Sequence, residues 1–464
     1  MSDHALGWAG AAELGRSLAR REVSPVEVTE ALLARIERLD PALNAFMLVT
    51  GERALAEARE AERELLAGVR RGPLHGVTLA LKDIFDTAGQ RTTAGSKILA
   101  DHVPARDATV VRRLRAAGLV LLGKTGMHEF AYGVTSDNPH YGPVRNPWDR
   151  GRCSGGSSGG SGAALAAGLC HVSLGTDTGG SIRIPAAACG IVGLKPTFGR
   201  VSRLGVWPLS WSLDHVGPMA RGVEDAALVL GAIAGPDPED GWSAERPAED
   251  FARDLELGAR GLAVGVPREW FFEGLEPDVE AAVRTAVGVL EREGARRLEV
   301  SLPHVPDAYT ASHAILASEA SAFHEPWLRE RPGDYGADVR RALELGHLVA
   351  GVDYVNARRM QALVRADFLA ALRGADVLAA PTLPRTALAV GEASSREPAT
   401  AWGRFMTPVN VAGLPAVSVP CGFDRAGLPI GLQLIGRPFD EATVLRAARA
   451  FERATDWHER RPAL

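Results

Sequence analysis

The chain has 464 residues, 46% hydrophobic and 23% charged, with a formal net charge of −5, the profile of an ordinary globular protein large enough for two or three domains or one large α/β unit. That charge balance gives no electrostatic basis for binding nucleic acid or an anionic membrane. The N-terminus, MSDHALGWAGAAELGRSL, lacks a basic stretch followed by an apolar core, and no apolar run reaches the ~18 residues a membrane span needs, so a cytoplasmic location is expected.

In chain order, Ser24-Pro25-Val26-Glu27 is the first clear signal: a serine cap, a proline in the first turn and a glutamate at the third position mark a helix start. Val28, Leu32, Leu33, Ile36 and Leu39 recur at helical spacing, and Asp40-Pro41 reads as the stop. A second, highly charged helix is predicted from Glu52 to Val69. Val77 to Lys82 reads as a short buried strand ending on a lysine, Val110 to Ala117 as a helix and Leu119 to Leu122 as a strand. This alternation predicts an α/β fold with a largely covered sheet.

Residues 142–205 have a different texture. A Gly/Ser loop, Ser154 to Gly162, runs into a small-residue helix, Ala163 to Gly168, and then a strand, His171 to Gly175. A second glycine turn, Thr178-Gly179-Gly180, opens another small-residue helix from Ser181. Such residues let backbone approach backbone or ligand closely. Past residue 224 ordinary elements return: a helix from Asp278 to Glu293, strands at Val377 to Ala380, Ala416 to Val419 and Gly431 to Ile435, and a closing helix from Asp440 to Thr455. Loops near 235–250, 329–337 and 384–401 read as surface insertions. With no repeat and no linker, one domain over residues 1–464 is expected. It would carry a helical N-terminal segment to about residue 70 and a substrate-shaping variable region over about 224–405.

Lysine is scarce: the 52 Lys+Arg residues include only Lys82, Lys97, Lys124 and Lys195 as lysine. Arginine stays charged, whereas a buried lysine can lose its proton and serve as a base. Cys153, Cys170, Cys189 and Cys421 show no CxxC pair or zinc-like spacing, and the 12 histidines include no HExxH, so neither metal nor cofactor is expected.

Three readings compete for the glycine-rich region. Gly118-Leu-Val-Leu-Leu-Gly-Lys124-Thr125 formally matches a phosphate-binding loop, but its middle is an apolar strand where a flexible loop is required. Gly155-Gly-Ser157-Ser-Gly159 satisfies the GxSxG elbow, which needs downstream partners; His215, His304, His313, His324 and His347 are available, none in a distinguishing context. The third reading joins both serine loops to a lysine, since Ser–Lys pairs are an established alternative to histidine triads. Ser181 falls at a helix start, where free amides and the dipole favour a developing anion. Lys82 ends an apolar strand, where desolvation would lower its pKa.

Gly155-Gly-Ser-Ser-Gly-Gly-Ser161 followed by Gly175-Thr-Asp-Thr-Gly-Gly-Ser-Ile-Arg183-Ile-Pro185 resembles the signature of the amidase signature family. Ala80-Leu-Lys82-Asp83, Leu122 to Phe130, Val192-Gly-Leu-Lys-Pro-Thr197 and Asn410-Val-Ala-Gly-Leu-Pro415 extend the resemblance over nearly the whole chain. It implies one α/β/α unit with a mixed, twisted central sheet covered by helices on both faces. It also implies a Ser–cis-Ser–Lys triad: Ser181 as acylated nucleophile, Ser157 as the bridging serine after a cis peptide, and Lys82 as general base. The amides of Thr178, Gly179 and Gly180 would form the oxyanion hole, with Ser158, Asp177 and Arg183 in support. Met127, Tyr132 and Trp207 are candidate pocket residues, and Lys97, Lys124 and Lys195 are expected to be structural.

Within that family the glutamine-hydrolysing subunit of a tRNA-dependent amidotransferase resembles the chain in motifs and length. That subunit would need an acid shortly before the Asn410 motif and an arginine upstream; the corresponding positions are Gly403 and Gln361, with Arg358, Arg359 and Arg365 nearby. The favoured expectation is therefore a stand-alone hydrolase of uncharged amides, with carbamates and esters as further substrates. Its partners would be small molecules, with no nucleic acid and no membrane; a homodimer is one assembly open to it. The glutamine-hydrolysing amidotransferase component is the alternative.

Overall fold

A computed structural model describes residues 3–392 and 402–464; the predicted insertion at 384–401 lies partly outside them. The main sheet comprises β1 (Phe46–Val49), β2 (Thr78–Lys82), β3 (Val120–Thr125), β6 (Val172–Thr176), β7 (Val192–Lys195), β8 (Val216–Ala220), β9 (Ala263–Pro267), β10 (Arg296–Val300), β11 (Val377–Pro381), β12 (Ala416–Phe423) and β13 (Pro429–Gly436). A separate two-stranded ribbon is formed by β4 (Asp137–Asn138) and β5 (Gly142–Pro143). The 11 strands run in the order β1-β3-β2-β6-β8-β7-β12-β13-β11-β9-β10. The sheet is mixed, as expected: β3, β2 and β6 are mutually parallel, as are β11, β9 and β10, while β6, β8, β7, β12, β13 and β11 alternate.

Why these residues form these elements is clearest at the first long helix, Pro25–Leu43. The Ser24 hydroxyl accepts from the Val26 amide at 2.9 Å, and Glu27 accepts from the Ser24 amide at 2.9 Å, so two otherwise orphaned donors are satisfied. Val28, Leu32, Ile36 and Leu39 are buried, and Leu33 lies at the edge of the core. The helix does not stop at Asp40-Pro41. It continues to Leu43 because Pro41 falls in the last turn, where one missing N–H costs little. Asp40 then gathers the chain beyond, accepting from the Ala45 amide at 2.7 Å, and Asn44 closes the helix in the left-handed region at φ 56°.

The small-residue helix is Gly159–Ala166, four residues earlier than its expected start. Its glycines serve close approach: a Cβ on Gly160 would lie 2.3 Å from the Gly126 nitrogen and 2.5 Å from the Ala45 oxygen. Strands β7 and β8, and the helices Val305–Glu330 and Gly351–Ala371, were not predicted. Val-Gly-Leu-Lys and Val-Gly-Pro-Met-Ala carry no alternation because both faces of those strands are buried. No helix among the described residues is long and apolar enough to cross a membrane.

The parallel register places the chemistry. Leu81 of β2 pairs with Leu174 of β6, so Lys82 and Thr176 emerge together at one carboxyl edge. In open α/β sheets that edge is where ligands bind.

Candidate active site

Lys82 is completely buried, and its Nζ lies 2.7 Å from Ser157 Oγ and 2.7 Å from Thr176 Oγ1. Burial pushes its pKa down to about 7, against the opposing pull of the Asp214 and Asp177 carboxylates. The amine is therefore substantially neutral near pH 7 while sharing a hydrogen bond with a serine hydroxyl. Ser157 follows a cis peptide after Gly156. Its carbonyl accepts from the His128 amide at 3.1 Å and the Ser136 hydroxyl at 3.2 Å. Gly156 is where side chains are excluded: a Cβ there would sit 2.7 Å from the Thr135 nitrogen. The Ser158 amide donates to the Ser181 carbonyl at 3.2 Å, and Ser158 Oγ donates to the Thr176 carbonyl at 3.3 Å. Ser158 thus ties the two serine loops together.

Ser181 lies just before the helix Arg183–Cys189 and keeps 6% exposure. Its turn is braced by Asp177 and Arg183, both completely buried. Arg183 donates Nε to Asp177 Oδ2 at 3.0 Å and Nη2 to Oδ1 at 2.9 Å, a two-point pairing. Asn410 Nδ2 donates to both the carboxylate and the backbone oxygen of Asp177 at 2.9 Å, and Arg183 Nη1 donates to Gln433 at 2.6 Å. Burial alone would raise the Asp177 pKa; Arg183, Lys195 and Asn410 outweigh it and hold the carboxyl well below the usual range. Asp177→Asn should leave Arg183 buried without a counter-charge and destabilise the fold by about 3 kcal/mol or more. A lowered urea midpoint at unchanged slope is the expected reading; an unshifted midpoint would remove the structural role given to this pair.

Asp177 also changes the expected oxyanion hole. The Gly180 amide donates to Asp177 Oδ1 at 2.8 Å, and the Ile182 amide to Oδ2 at 3.2 Å. The Gly180 amide is thereby committed to the brace. Among the described residues the amides of Thr178, Gly179 and Ser181 have no such partner, and these remain able to receive a developing negative charge.

The other lysines have different surroundings. Lys124 and Lys195 are as buried as Lys82, and burial lowers the pKa of each. Lys124 pairs with Asp83 at 3.2 Å and donates to the Phe85 carbonyl and Thr92 hydroxyl, both at 2.8 Å. Lys195 donates to the carbonyls of Pro196 and Leu414. Lys97 is exposed. Only Lys82 meets a serine of the signature loops. His215, His304 and His324 direct Nδ1 to the Leu213 carbonyl, Asp367 and the Tyr335 hydroxyl respectively, away from Ser157.

A cavity of about 250 Å³ opens beside Thr176 and Thr178. Trp207 and Trp211 line it together with Arg203, Asp214 and residues 239–242, so part of the predicted 235–250 surface insertion is pocket wall. Met127 and Tyr132 are not on that wall: Met127 is buried, and the adjacent Ala131 takes the place expected of Tyr132. Sequence reasoning missed Thr176, Asp214 and Glu319. Asp214 accepts from Thr178 Oγ1 at 2.5 Å and from the Leu209 and Ser210 amides. Buried Glu319, on the helix Val305–Glu330, accepts from Ser210 Oγ at 2.6 Å and Ser212 Oγ at 2.7 Å. Glu319 therefore fixes the same wall from more than 100 residues away. Thr176 lies inside the recognised motif, where it could have been singled out; Asp214 and Glu319 carry no local signal.

A family model described as Amidase matches residues 27–445. The A subunit of glutamyl-tRNA(Gln) amidotransferase from Anaeromyxobacter sp. (strain K) is 49% identical over 471 residues, covering 96% of each chain. A solved structure from a vestigial protein complex bearing on the evolutionary origins of an s-triazine catabolic enzyme superposes with a TM-score of 0.92 at 40% identity, over 96% of this chain and 98% of that one. The corresponding glutamyl-tRNA(Gln) amidotransferase component from Thermotoga maritima superposes with a TM-score of 0.84 at 35% identity, over 97% and 95%.

These relatives overturn two expectations. The stand-alone hydrolase was preferred because Gly403 and Gln361 stand where an acid and an arginine were sought. Those two positions are outweighed by near-half identity along the whole chain to an amidotransferase component. Gly403 also directly follows Trp402 and the undescribed residues 393–401, and Gln361 donates to the Val411 carbonyl at 2.9 Å. The expectation of small-molecule partners without nucleic acid falls with it, since the relative is one subunit of an enzyme named for a tRNA. Whole-chain net charge averages over the surface and does not report which partners one face accepts.

Proposed function

The chain belongs to the amidase family, and from that premise we propose that it is the glutamine-hydrolysing subunit of a tRNA-dependent amidotransferase. The observation that carries this reading is the 49% identity to such a component over 96% of both chains.

The proposed chemistry uses the residues at the strand edge. Neutral Lys82 takes a proton from Ser157 across the 2.7 Å contact as Ser157 takes one from Ser181. Ser181 Oγ attacks the glutamine side-chain carbonyl, and the oxyanion forms against the amides of Thr178, Gly179 and Ser181. Collapse breaks the C–N bond; the proton held on Lys82 returns through Ser157 to the departing nitrogen, which leaves as ammonia. Water then attacks the acyl-enzyme by the reverse relay, releasing glutamate and restoring Ser181. Companion subunits would carry the ammonia to the aminoacyl-tRNA.

The test is ammonia release from glutamine by the chain assembled with its companion subunits, alongside an aliphatic amide and an anilide. Glutamine should be the preferred donor, and its hydrolysis should rise when the aminoacyl-tRNA is present. Turnover of the other amides with none of glutamine would overturn the reading.

A further inference from the structure

The Thr178 amide belongs to a peptide group that is held from two sides. The carbonyl of that group, on Asp177, accepts from the His215 amide at 3.1 Å and from Asn410 Nδ2 at 2.9 Å. His215 Nδ1 adds a third contact to it at 3.1 Å and donates to the Leu213 carbonyl at 2.7 Å; both partners are acceptors only, so this nitrogen carries the proton. A trans peptide is planar, with its C=O and N–H on opposite edges, so fixing the Asp177 carbonyl directs the Thr178 N–H the other way. The side chain of Thr178 supplies the second anchor by donating Oγ1 to Asp214 Oδ1 at 2.5 Å. Thr178 and Asp214 both line the cavity beside the nucleophile.

Asp214 is held in turn. Its Oδ2 accepts from the Leu209 and Ser210 amides at 2.9 and 3.0 Å. Behind that segment, buried Glu319 accepts from Ser210 Oγ at 2.6 Å, Ser212 Oγ at 2.7 Å, the Ser212 amide at 3.1 Å and the Tyr354 hydroxyl at 3.0 Å. Glu319 makes no ion pair among the described residues. A buried carboxylate without a counter-charge is costly, and what this one gains is a rigid 209–214 segment. One hydrogen-bonded chain therefore runs from Tyr354 through Glu319, Ser210 and Asp214 to Thr178.

We propose that Asp214 and Glu319 are positioning residues for acyl transfer: Asp214 holds the Thr178 amide toward the forming oxyanion, and Glu319 holds Asp214. Neither touches the reacting atoms. The inference rests on the reading of Ser181 as the acylated nucleophile, and it adds that part of the oxyanion hole is set from the helix Val305–Glu330. An amide already aimed at the forming charge needs no reorientation during the reaction. Loosening it should therefore lower kcat and leave substrate binding, and KM, nearly unchanged. The donor pattern also predicts which replacements are tolerated. In Asp214→Asn the side-chain oxygen can stay on the Leu209 and Ser210 amides while the NH2 group faces the Thr178 hydroxyl. In Glu319→Gln the oxygen can stay on the Ser212 amide while the NH2 group faces the Ser212 and Tyr354 hydroxyls. Hydroxyl groups accept as well as donate, so both variants keep the chain intact.

The test is steady-state hydrolysis of glutamine by the chain assembled with its companion subunits, and of p-nitrophenyl acetate, whose acyl transfer forms an oxyanion at the same place. Thr178→Val keeps the side-chain shape and removes the hydroxyl. It should lower kcat roughly 10²-fold with KM within about threefold of the parent, the scale set by losing one oxyanion donor. Thr178→Ser should restore most of that rate. Glu319→Leu should lower kcat about tenfold, and Glu319→Gln less than about threefold. The double variant decides whether Glu319 acts through Thr178: Glu319→Leu should cost nothing further once Thr178→Val is present. Ser210→Ala, which removes a single donor, replaces Glu319→Leu in this comparison if the latter does not fold. Losses that multiply in the double variant, or a Thr178→Val enzyme as fast as the parent, overturn the proposal. A parent that hydrolyses the ester and not glutamine overturns the proposed function, and the positioning roles are then read from the ester. A parent inactive on both substrates overturns both.

Discussion

Ser181→Ala should reduce amide turnover by roughly 10⁶-fold, the scale of loss when a serine nucleophile is removed from a hydrolase that uses one. No neighbouring hydroxyl is placed to substitute. Ser157 Oγ is engaged by Lys82, and Ser158 Oγ is held to the Thr176 carbonyl. The variant should fold normally, because Ser181 contributes its carbonyl, not its hydroxyl, to the link with Ser158. The measurement is steady-state ammonia release together with a thermal melt. Turnover within tenfold of the parent at an unchanged melt would transfer the nucleophile's role elsewhere.

Lys82→Arg should cost at least about 10³-fold, more than general-base assistance alone typically supplies at its lower end, because arginine keeps the charge and cannot release the proton. Lys82→Met, uncharged and of similar reach, should be comparably inactive while keeping the fold. The pair therefore separates loss of the base from burial of a fixed charge. The pH dependence carries its own sign. The base form of Lys82 exists above its pKa of about 7, so kcat/KM should rise with pH through that value and level off above it. Both variants should lack that limb. Stability follows the same group: its pKa is 10.5 unperturbed and about 7 in the fold. Between those values the unfolded chain binds the extra proton, so the Lys82 contribution to stability grows as pH rises from 7 to 10.5 and is lost as pH falls through 7. A flat acid limb in the parent enzyme would rule out Lys82 as the titrating base.

Much of the candidate site is legible in the sequence because the residues proposed for its chemistry carry local signals. Thr178-Gly179-Gly180-Ser181 and Gly155 to Ser161 announce themselves by residue type, and Lys82 by its place at the end of an apolar strand. Desolvation by itself is less selective than the strand suggested. Lys124 and Lys195 are buried equally and have lowered pKa values too; what distinguishes Lys82 is a serine hydroxyl at 2.7 Å, where Lys124 has Asp83 and Lys195 has carbonyls. Gly180 was included among the expected oxyanion-hole amides because no motif reveals that Asp177 claims its N–H; the free Ser181 amide takes its place in the proposed set.

The amino-acid order alone determined the helix capped by Ser24 and Glu27 and the alternation of strands and helices, and it singled out the three residues to which the proposed chemistry is assigned. Each is specified by neighbours within a few positions, through caps, periodicity and glycine turns, and such signals survive without knowledge of the rest of the chain. Tertiary structure decided the remainder. It set the order of the 11 strands, the parallel register that brings Lys82 and Thr176 to the same sheet edge, and the reach of Glu319 to a wall 107 residues earlier. These depend on which surfaces meet when the chain closes on itself, and that pairing is chosen by burial and hydrogen bonding summed over the whole fold, which no local window of sequence contains.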